Sequence, residues 1–182
     1  GDFVDFGGGN FCINPFSLYR EPSDIEDNNE YKEFFILPFI NLIVSILSII
    51  FDSGKEGKKV VLDTKSRKVL ERAVKAVLAK KGSKGGFSDL KHELMNNTII
   101  RSPQVTEICD DFEYILRDYC DDESYAKYFN GESTLDITND FTVFEFSDLQ
   151  QQEVLQNAVL ITIVFLTYAK MQGRERRTAL II

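Results

Sequence analysis

Several residue types are scarce in this chain of 182 residues, and each scarcity removes a class of protein. Three cysteines, none in a Cys-x-x-Cys pair, exclude a disulfide scaffold and zinc sites with His/Cys spacing. Eleven glycines and four prolines exclude collagen-like and Pro/Gly-rich sequences. His92 is the only histidine, so a Ser-His-Asp or Cys-His catalytic group would depend on it. Its place beside Lys91 on a short polar helix instead predicts a surface residue.

The residues that are present describe one globular domain. A hydrophobic fraction of 43% supplies a sizeable core and excludes disorder along the whole chain. The net charge of −8 argues against a protein that coats DNA, because acidic proteins repel nucleic acid on average. Cys12, Cys109 and Cys120 are predicted to be reduced, which fits a cytosolic compartment, and no signal peptide opens the sequence.

Positive charge is concentrated in one segment, from Lys55 to Lys84. This segment holds eleven Lys or Arg residues and three Asp or Glu residues, a net charge of +8, so the rest of the chain carries −16. Its central helix is predicted to bury Val69, Leu70, Ala73, Val74, Val77 and Leu78, and to expose Lys68, Arg72 and Lys75. That face either meets an anionic partner or is a solvated surface, and charge runs usually solvate faces.

Residues 34–51 form an uncharged run of eighteen residues that resembles a membrane span. Two features favour a buried core helix instead. Pro38 would break or kink a helix or stand near its start, and a helix of 15 residues from Pro38 spans only about 22 Å of a bilayer core of roughly 30 Å. The polar residues also fall on one face, as in an amphipathic helix: Asn41, Ser45, Ser48 and Asp52. Peripheral membrane contact remains the alternative.

The pattern elsewhere predicts helices between two β regions. Residues 1–20 are predicted to form a strand–turn–strand unit, with strands at 3–6 and 11–14. Residues 21–135 are predicted to form a helical subdomain, and residues 136–182 a strand–helix–strand unit. Ser88 and Ser102 are expected to cap helices, and Ser147 with Gln150 to form a capping box for the last helix. The strands at 141–146 and 178–182 are expected to be parallel.

Motifs for nucleotide or metal chemistry are missing from the sequence. The glycine-rich stretches at 7–10, 54–59 and 82–86 do not match the P-loop pattern G-x-x-x-x-G-K-[ST], so they are predicted to be turns. Asp121, Asp122 and Glu123 lack the spacing and the central glycine of an EF-hand loop. These acids are expected to start a helix.

Two regions carry a resemblance to a known family. Residues 1–6 (GDFVDF) and 11–16 (FCINPF), with the step Asn14-Pro15-Phe16, resemble the segment after the P-loop in TraC-like ATPases of bacterial type IV secretion and conjugation systems. The later region is similar to the segment that precedes and includes the Walker B strand in that family. It comprises YFNG at 128–131, FTVFEF at 141–146, Asp148-Leu149, an apolar helix, Arg176-Arg177 and TALII at 178–182. The resemblance spans most of the chain and is strongest at its ends.

The resemblance implies a mainly α chain with short β segments. In it, a helical subdomain would be inserted in a RecA-like P-loop ATPase core, of which this sequence contains only part. The parent would be a homohexamer, cytoplasmic and peripheral to the bacterial inner membrane, that powers DNA or protein transfer and pilus assembly. ATP and Mg²⁺ would bind elsewhere in the parent, because the Walker A loop and the acids after Ile182 are not in this sequence. We therefore expect an excised piece that does not hydrolyse ATP, with no catalytic, cofactor or metal residues.

Only one group of residues is a candidate for contact with a neighbouring subunit's phosphate. Arg174, Arg176 and Arg177 follow the last predicted helix, and the guanidinium fork suits phosphate oxygens. A solvated turn is the alternative for these three residues. The alternative for the whole chain is a helical adaptor that binds an anionic partner through the Lys55–Lys84 segment.

Overall fold

The fold is mostly helical, as the periodicity predicts. The computed structural model describes residues 2–5, 11–19, 29–52, 62–96, 102–121, 125–134 and 142–172. In chain order the main elements are β1 (Asp2–Asp5), α1 (Asn29–Asp52), α2 (Thr64–Lys81), α3 (Phe87–Asn96), α4 (Pro103–Leu116), α5 (Ala126–Phe129), β2 (Thr142–Glu145) and α6 (Glu153–Gln172). Short 3₁₀ turns at Pro15–Leu18, Gly82–Lys84, Arg117–Tyr119 and Ser147–Leu149 link them.

Helix α1 forms the centre of the core and packs against α2, α4 and α6. Its buried residues are Phe39, Ile40, Leu42, Ile43, Val44, Ile46, Leu47, Ile50 and Phe51. The polar stripe faces outward as predicted: Asn41 and Asp52 are exposed, and Ser45 and Ser48 are half-buried. The apolar run is therefore a core helix. Of the helices in the described part of the chain, none combines the length and the apolar character needed to cross a bilayer.

The start of α1 differs from the prediction. The helix begins at Asn29, nine residues before Pro38, so the proline lies inside it. Proline removes one helical hydrogen bond, but burial of the residues that follow stabilises the helix by more than that loss.

Helix α2 confirms the predicted division into two faces. Asp63 caps its start by accepting a hydrogen bond from Ser66 N at 2.7 Å, and Gly82, with a φ of 54°, ends it. Five of the six predicted inner residues are buried and Leu78 is half-buried, whereas Lys68, Arg72 and Lys75 are exposed. The inner face packs on α1, α3 and α4.

Helix α4 also begins as predicted, with Ser102 as its cap and Pro103 in its first turn. It contributes Phe112, whose ring stacks on Phe51 of α1 with centroids 4.8 Å apart. Both rings are fully buried. This stack joins the two helices at the centre of the core.

The two strands pair in a way that the sequence did not reveal. β1 and β2 form a parallel two-stranded ladder in which Phe3 is opposite Val143 and Val4 is opposite Phe144. The prediction of a strand at residues 11–14 is wrong: this segment is irregular and leads into the first 3₁₀ turn. Residues 178–182, the expected partner of β2, lie outside the described residues. A RecA-like core is not among the described elements, and the three-part division of the chain stays a prediction.

Two predicted helix starts need correction. Ser88 lies inside α3, which begins at Phe87. Ser147 and Gln150 do not cap α6, because Ser147–Leu149 form a separate 3₁₀ turn and α6 begins at Glu153. In this turn Ser147 N instead donates to the Glu145 carboxylate at 2.9 Å, and this bond lowers the pKa of Glu145.

Candidate functional site

The step Asn14-Pro15-Phe16 lies in the interior, where it links distant parts of the chain. Asn14 is 1% exposed. Its Nδ2 donates to Gly85 O at 2.7 Å and to Gly131 O at 2.8 Å, and its Oδ1 accepts from Phe16 N at 3.0 Å. One amide group therefore caps its own 3₁₀ turn and also bonds two glycine carbonyls that lie 71 and 117 residues away.

Phe16 completes this step by packing. Its ring is fully buried and lies edge-on to Phe39 of α1, with centroids 6.2 Å apart. Gly85 is packed so closely that a Cβ there would lie 2.6 Å from Val77 Cγ1 and 3.1 Å from Phe16 Cδ1. The space beside Gly85 is thus filled by protein atoms, which agrees with a structural turn at this position.

A second asparagine, Asn130, performs a similar role nearby. Its Oδ1 accepts from Ser88 N at 2.9 Å, and its Nδ2 donates to Tyr119 O at 2.9 Å and Ala126 O at 3.0 Å. Asn130 therefore supplies the acceptor for the α3 start that the sequence assigned to Ser88. Gly86 leaves room for it, because a Cβ there would lie 2.8 Å from Asn130 Oδ1.

The irregular segment before Asn14 is bonded to the segment around Asn130. Ile13 N donates to Tyr128 O at 2.6 Å, and Thr134 N donates to Cys12 O at 2.9 Å. Cys12 N in turn donates to Thr134 Oγ1 at 3.0 Å. Residues 11–16 and YFNG at 128–131 therefore belong to one hydrogen-bonded unit. We call it the asparagine junction (residues 11–16, 85–88 and 128–134).

The cysteine of the asparagine junction is not suited to nucleophilic catalysis. Cys12 is buried, and burial raises the pKa of its thiol, so it is a poor nucleophile. Cys120 is likewise buried, and its pKa rises to about 12 for the same reason. All three cysteines are free thiols, as predicted. The junction holds segments together through hydrogen bonds between amide groups and carbonyl oxygens.

The remaining sequence candidates lie apart from this junction. His92 is exposed on α3, as predicted. Asp121 does not start a helix but lies in a turn with a φ of 56°, a conformation that Asp tolerates. Its carboxylate pairs with Lys91 Nζ at 2.9 Å, which raises the pKa of Lys91. Asp122 and Glu123 lie outside the described residues, as do Arg174, Arg176 and Arg177, which the structure therefore brings to no site.

The described acids form no metal site, and two lysines at the end of α2 are paired with acids. Among the described residues, no three His, Cys, Asp or Glu side chains come together in a group that could hold a metal ion. A cavity of about 440 Å³ at the end of α2 is lined by Tyr19, Ser83 and three lysines. Two of these, Lys80 and Lys81, already pair with acids on α3, Glu93 at 2.5 Å and Asp89 at 2.7 Å. Lys84 is the third lysine of this lining and is exposed.

The face formed by Lys68, Arg72 and Lys75 is the most strongly charged candidate surface. All three side chains are exposed, and no acidic partner for them lies in the described part of the chain. Comparison with protein-family models, curated proteins and solved structures finds no match to this chain.

Proposed function

We propose that these 182 residues are an internal part of a type IV secretion or conjugative-transfer ATPase, and that their helices form a subdomain inserted in its nucleotide-binding core. The parent would act as a hexamer at the inner membrane and use ATP to drive DNA or protein transfer and pilus assembly. The resemblance supplies this hypothesis. The ATP-binding groups would come from parts of the parent outside this sequence, so no residue here is assigned to hydrolysis.

The observation that carries the proposal is the parallel pairing of β1 with β2. These strands hold residues from the two regions that resemble the family, and they pair in register although about 140 positions separate them. All-parallel sheets occur almost only in α/β proteins whose sheets are covered by helices, and two strands alone are marginally stable. A parallel ladder whose connection contains α1 to α5 is the arrangement expected when a helical subdomain is inserted in an α/β sheet.

The asparagine junction gives further support. It bonds residues 11–16 to YFNG, two parts of the resemblance that are far apart in sequence. A motif with this role would position the helical subdomain on the strands beside it. The role is one of assembly, which is compatible with a segment that lacks both Walker motifs.

The most direct genetic test is the reading frame that encodes this chain. We expect a G-x-x-x-x-G-K-[ST] sequence upstream of Gly1 and an acidic residue directly after Ile182. A reading frame that starts at Gly1 and ends at Ile182 would contradict the proposal.

The arginines can then be tested in the complete protein. Replacing Arg174, Arg176 or Arg177 with Ala should lower ATP hydrolysis at an unchanged melting temperature if one of them contacts a neighbour's phosphate. Arg117→Ala is a matched control, because Arg117 is an exposed arginine on the helical body that pairs with Glu113. Equal hydrolysis in all four variants would assign the three residues to a solvated turn.

A helical adaptor is the second candidate, and the exposed face of α2 favours it. In that role the chain would bind an anionic partner through Lys68, Arg72 and Lys75, with an affinity that falls as salt rises. Binding of DNA or anionic vesicles that is lost on reversal of these three residues to Glu would support it.

A further inference from the structure

We propose that Asn130 is a modification site, where the side-chain amide is lost by deamidation at the Asn130-Gly131 step, and that the closed asparagine junction suppresses this reaction. The conversion releases residues 128–134 from the helical body. The inference uses only residues of the junction. It does not require the chain to belong to a transfer ATPase.

The sequence marks one of the two junction asparagines as reactive. Asn130-Gly131 is the only Asn-Gly pair in the 182 residues. Asparagine is a chemically labile side chain, and its deamidation uses the backbone nitrogen of the next residue as the nucleophile. Glycine has no side chain and leaves that nitrogen most accessible. Asn14 precedes Pro15, which has no N–H, so Asn14 cannot react by this route.

The reaction needs only water as a co-reactant. Gly131 N forms a bond to Asn130 Cγ, and the bond between Cγ and Nδ2 breaks. The proton of Gly131 N leaves with the amide nitrogen as ammonia, and a cyclic imide remains. Water then opens the imide at either carbonyl, which gives aspartate at position 130 or an isoaspartyl linkage in which the main chain runs through the former side chain.

The fold requires both members of this labile pair. Gly131 has a φ of 110°, which residues with a side chain rarely adopt. A Cβ there would lie 3.9 Å from Cys12 Sγ, an ordinary contact, so the backbone conformation and not the space requires glycine. The amide of Asn130 accepts one hydrogen bond and donates two. A carboxylate cannot donate, so aspartate does not replace it.

The closed junction holds the step out of the reactive geometry. The backbone of Asn130 is extended, with a φ of −123° and a ψ of 138°. Closure of the imide ring requires this backbone to rotate until Gly131 N meets the side-chain carbon. Hydrogen bonds oppose the rotation on both sides of the step, because Asn130 O accepts from Cys12 Sγ at 3.3 Å and Gly131 O accepts from Asn14 Nδ2 at 2.8 Å. Deamidation therefore requires local opening of the junction.

Protection comes from these bonds and not from exclusion of water, since Gly131 is exposed and Asn130 is half-buried. After conversion neither product rebuilds the junction. A carboxylate at position 130 cannot donate to Tyr119 O and Ala126 O. An isoaspartyl linkage adds a main-chain carbon between the carbonyls that Cys12 and Asn14 hold. A transient opening thus becomes permanent.

Mass spectrometry measures the reaction in the folded chain and in a synthetic peptide of residues 127–134 at the same temperature in the same neutral buffer. We expect conversion of amide to acid at position 130 in both, with isoaspartyl and aspartyl products separated by chromatography. The folded chain should react about a hundredfold more slowly, because three amide bonds, each contributing a factor of a few to about ten, must open first.

Variants of the neighbouring bonds test the suppression. Asn14→Ala should raise the rate in the folded chain about tenfold, because it frees Gly131 O. Cys12→Ala should raise it less, because a thiol is a weak donor. Asn157→Ala, on the exposed side of α6, should leave the rate unchanged. Circular dichroism checks each fold, and Cys12→Ala carries the comparison if Asn14→Ala does not fold.

The consequence of the reaction is tested with Asn130→Asp, which mimics one product. Its urea midpoint should be lower than that of wild type, and a protease should cut it sooner within residues 128–134. Asn157→Asp makes the same exchange on α6 away from the junction and should not lower the midpoint.

Four results would overturn the proposal. A peptide that keeps its amide shows that the pair is not labile. A folded chain that converts as fast as the peptide has no suppression. Equal rates in wild type and in the folded Asn14→Ala and Cys12→Ala variants exclude control by these bonds. An Asn130→Asp variant as stable as wild type shows that the conversion does not release the segment.

Discussion

Replacement of Asn14 by alanine should remove a large part of the stability of this fold. The substitution leaves Gly85 O and Phe16 N without their partner in buried surroundings, and it removes a third bond, to Gly131 O, where water can replace the amide. Each buried polar group left unpaired costs about 1–3 kcal/mol. We therefore expect a loss of about 3–4 kcal/mol, a large share of the roughly 5–15 kcal/mol that a domain has.

Urea unfolding followed by circular dichroism measures this loss. Asn157→Ala is the matched control, because Asn157 is exposed on α6 and alanine is the better helix former there. That variant should be as stable as wild type or slightly more stable. A loss below about 1 kcal/mol for Asn14→Ala would refute the role given to the asparagine junction.

Asn14→Asp separates hydrogen bonding from packing. The side chain keeps its shape, but a carboxylate cannot donate to the carbonyls of Gly85 and Gly131. The neutral acid is favoured in the folded protein, so its folded-state pKa is raised above the unfolded value of about 3.9. Stability is therefore retained below that pH and is lost as pH rises through the folded-state pKa. The deficit relative to wild type should shrink on acidification, and a deficit independent of pH would contradict this explanation.

Three further predictions concern packing, capping and thiols. Gly85→Ala should lower the free energy of unfolding by about 1–3 kcal/mol, because its Cβ would lie 2.6 Å from Val77 Cγ1. In a double-mutant cycle, Val77→Ala should relieve part of this loss, and strictly additive losses would refute the clash. The bond from Ser66 N lowers the pKa of Asp63 below 3.8, so this cap stabilises the fold above that pH and is lost as pH falls through the folded-state pKa. Asp63→Asn keeps a hydrogen-bond acceptor that does not titrate. The urea midpoint of this variant should therefore fall less on acidification than that of wild type, and equal falls would exclude this role for the Asp63 cap. The three buried thiols, Cys120 among them, should resist a thiol reagent at neutral pH and react only in urea, whereas fast labelling of the folded chain would disprove their burial.

Local patterns predicted the helices well because helix burial is periodic. The polar stripe of α1 and the two faces of α2 follow directly from residue spacing, and the cap at Ser102 is a local hydrogen bond. Pro38 shows the limit of local rules. A proline predicts a helix start or a kink. The core contacts of the residues after Pro38 nevertheless keep α1 continuous from Asn29.

The features that were missed depend on contacts between distant residues. β1 pairs with β2 and not with the nearby segment at 11–14, and no local pattern specifies a parallel partner so far along the chain. Asn130 supplies the acceptor at the start of α3 from 42 positions away. Asn14 lies in the segment at 11–14 that was predicted to be a strand. Its bonds to Gly85 and Gly131 could be found only after the chain had folded.

The candidate site was predicted only in part for the same reason. The exposure of Lys68, Arg72 and Lys75 follows from helical periodicity and is confirmed. The resemblance singled out Asn14, Pro15 and Phe16, but it gave no physical role for them. Their burial and bonding supply that role, since they join the irregular segment at 11–14 to the helical body.

ATP hydrolysis, measured side by side for this chain and for the product of its complete reading frame, tests the central claim most directly. Membership of a transfer ATPase predicts Mg²⁺-dependent turnover by the complete product and none by the 182 residues alone. Turnover by the isolated chain, or a complete product that folds but hydrolyses no ATP, would contradict it.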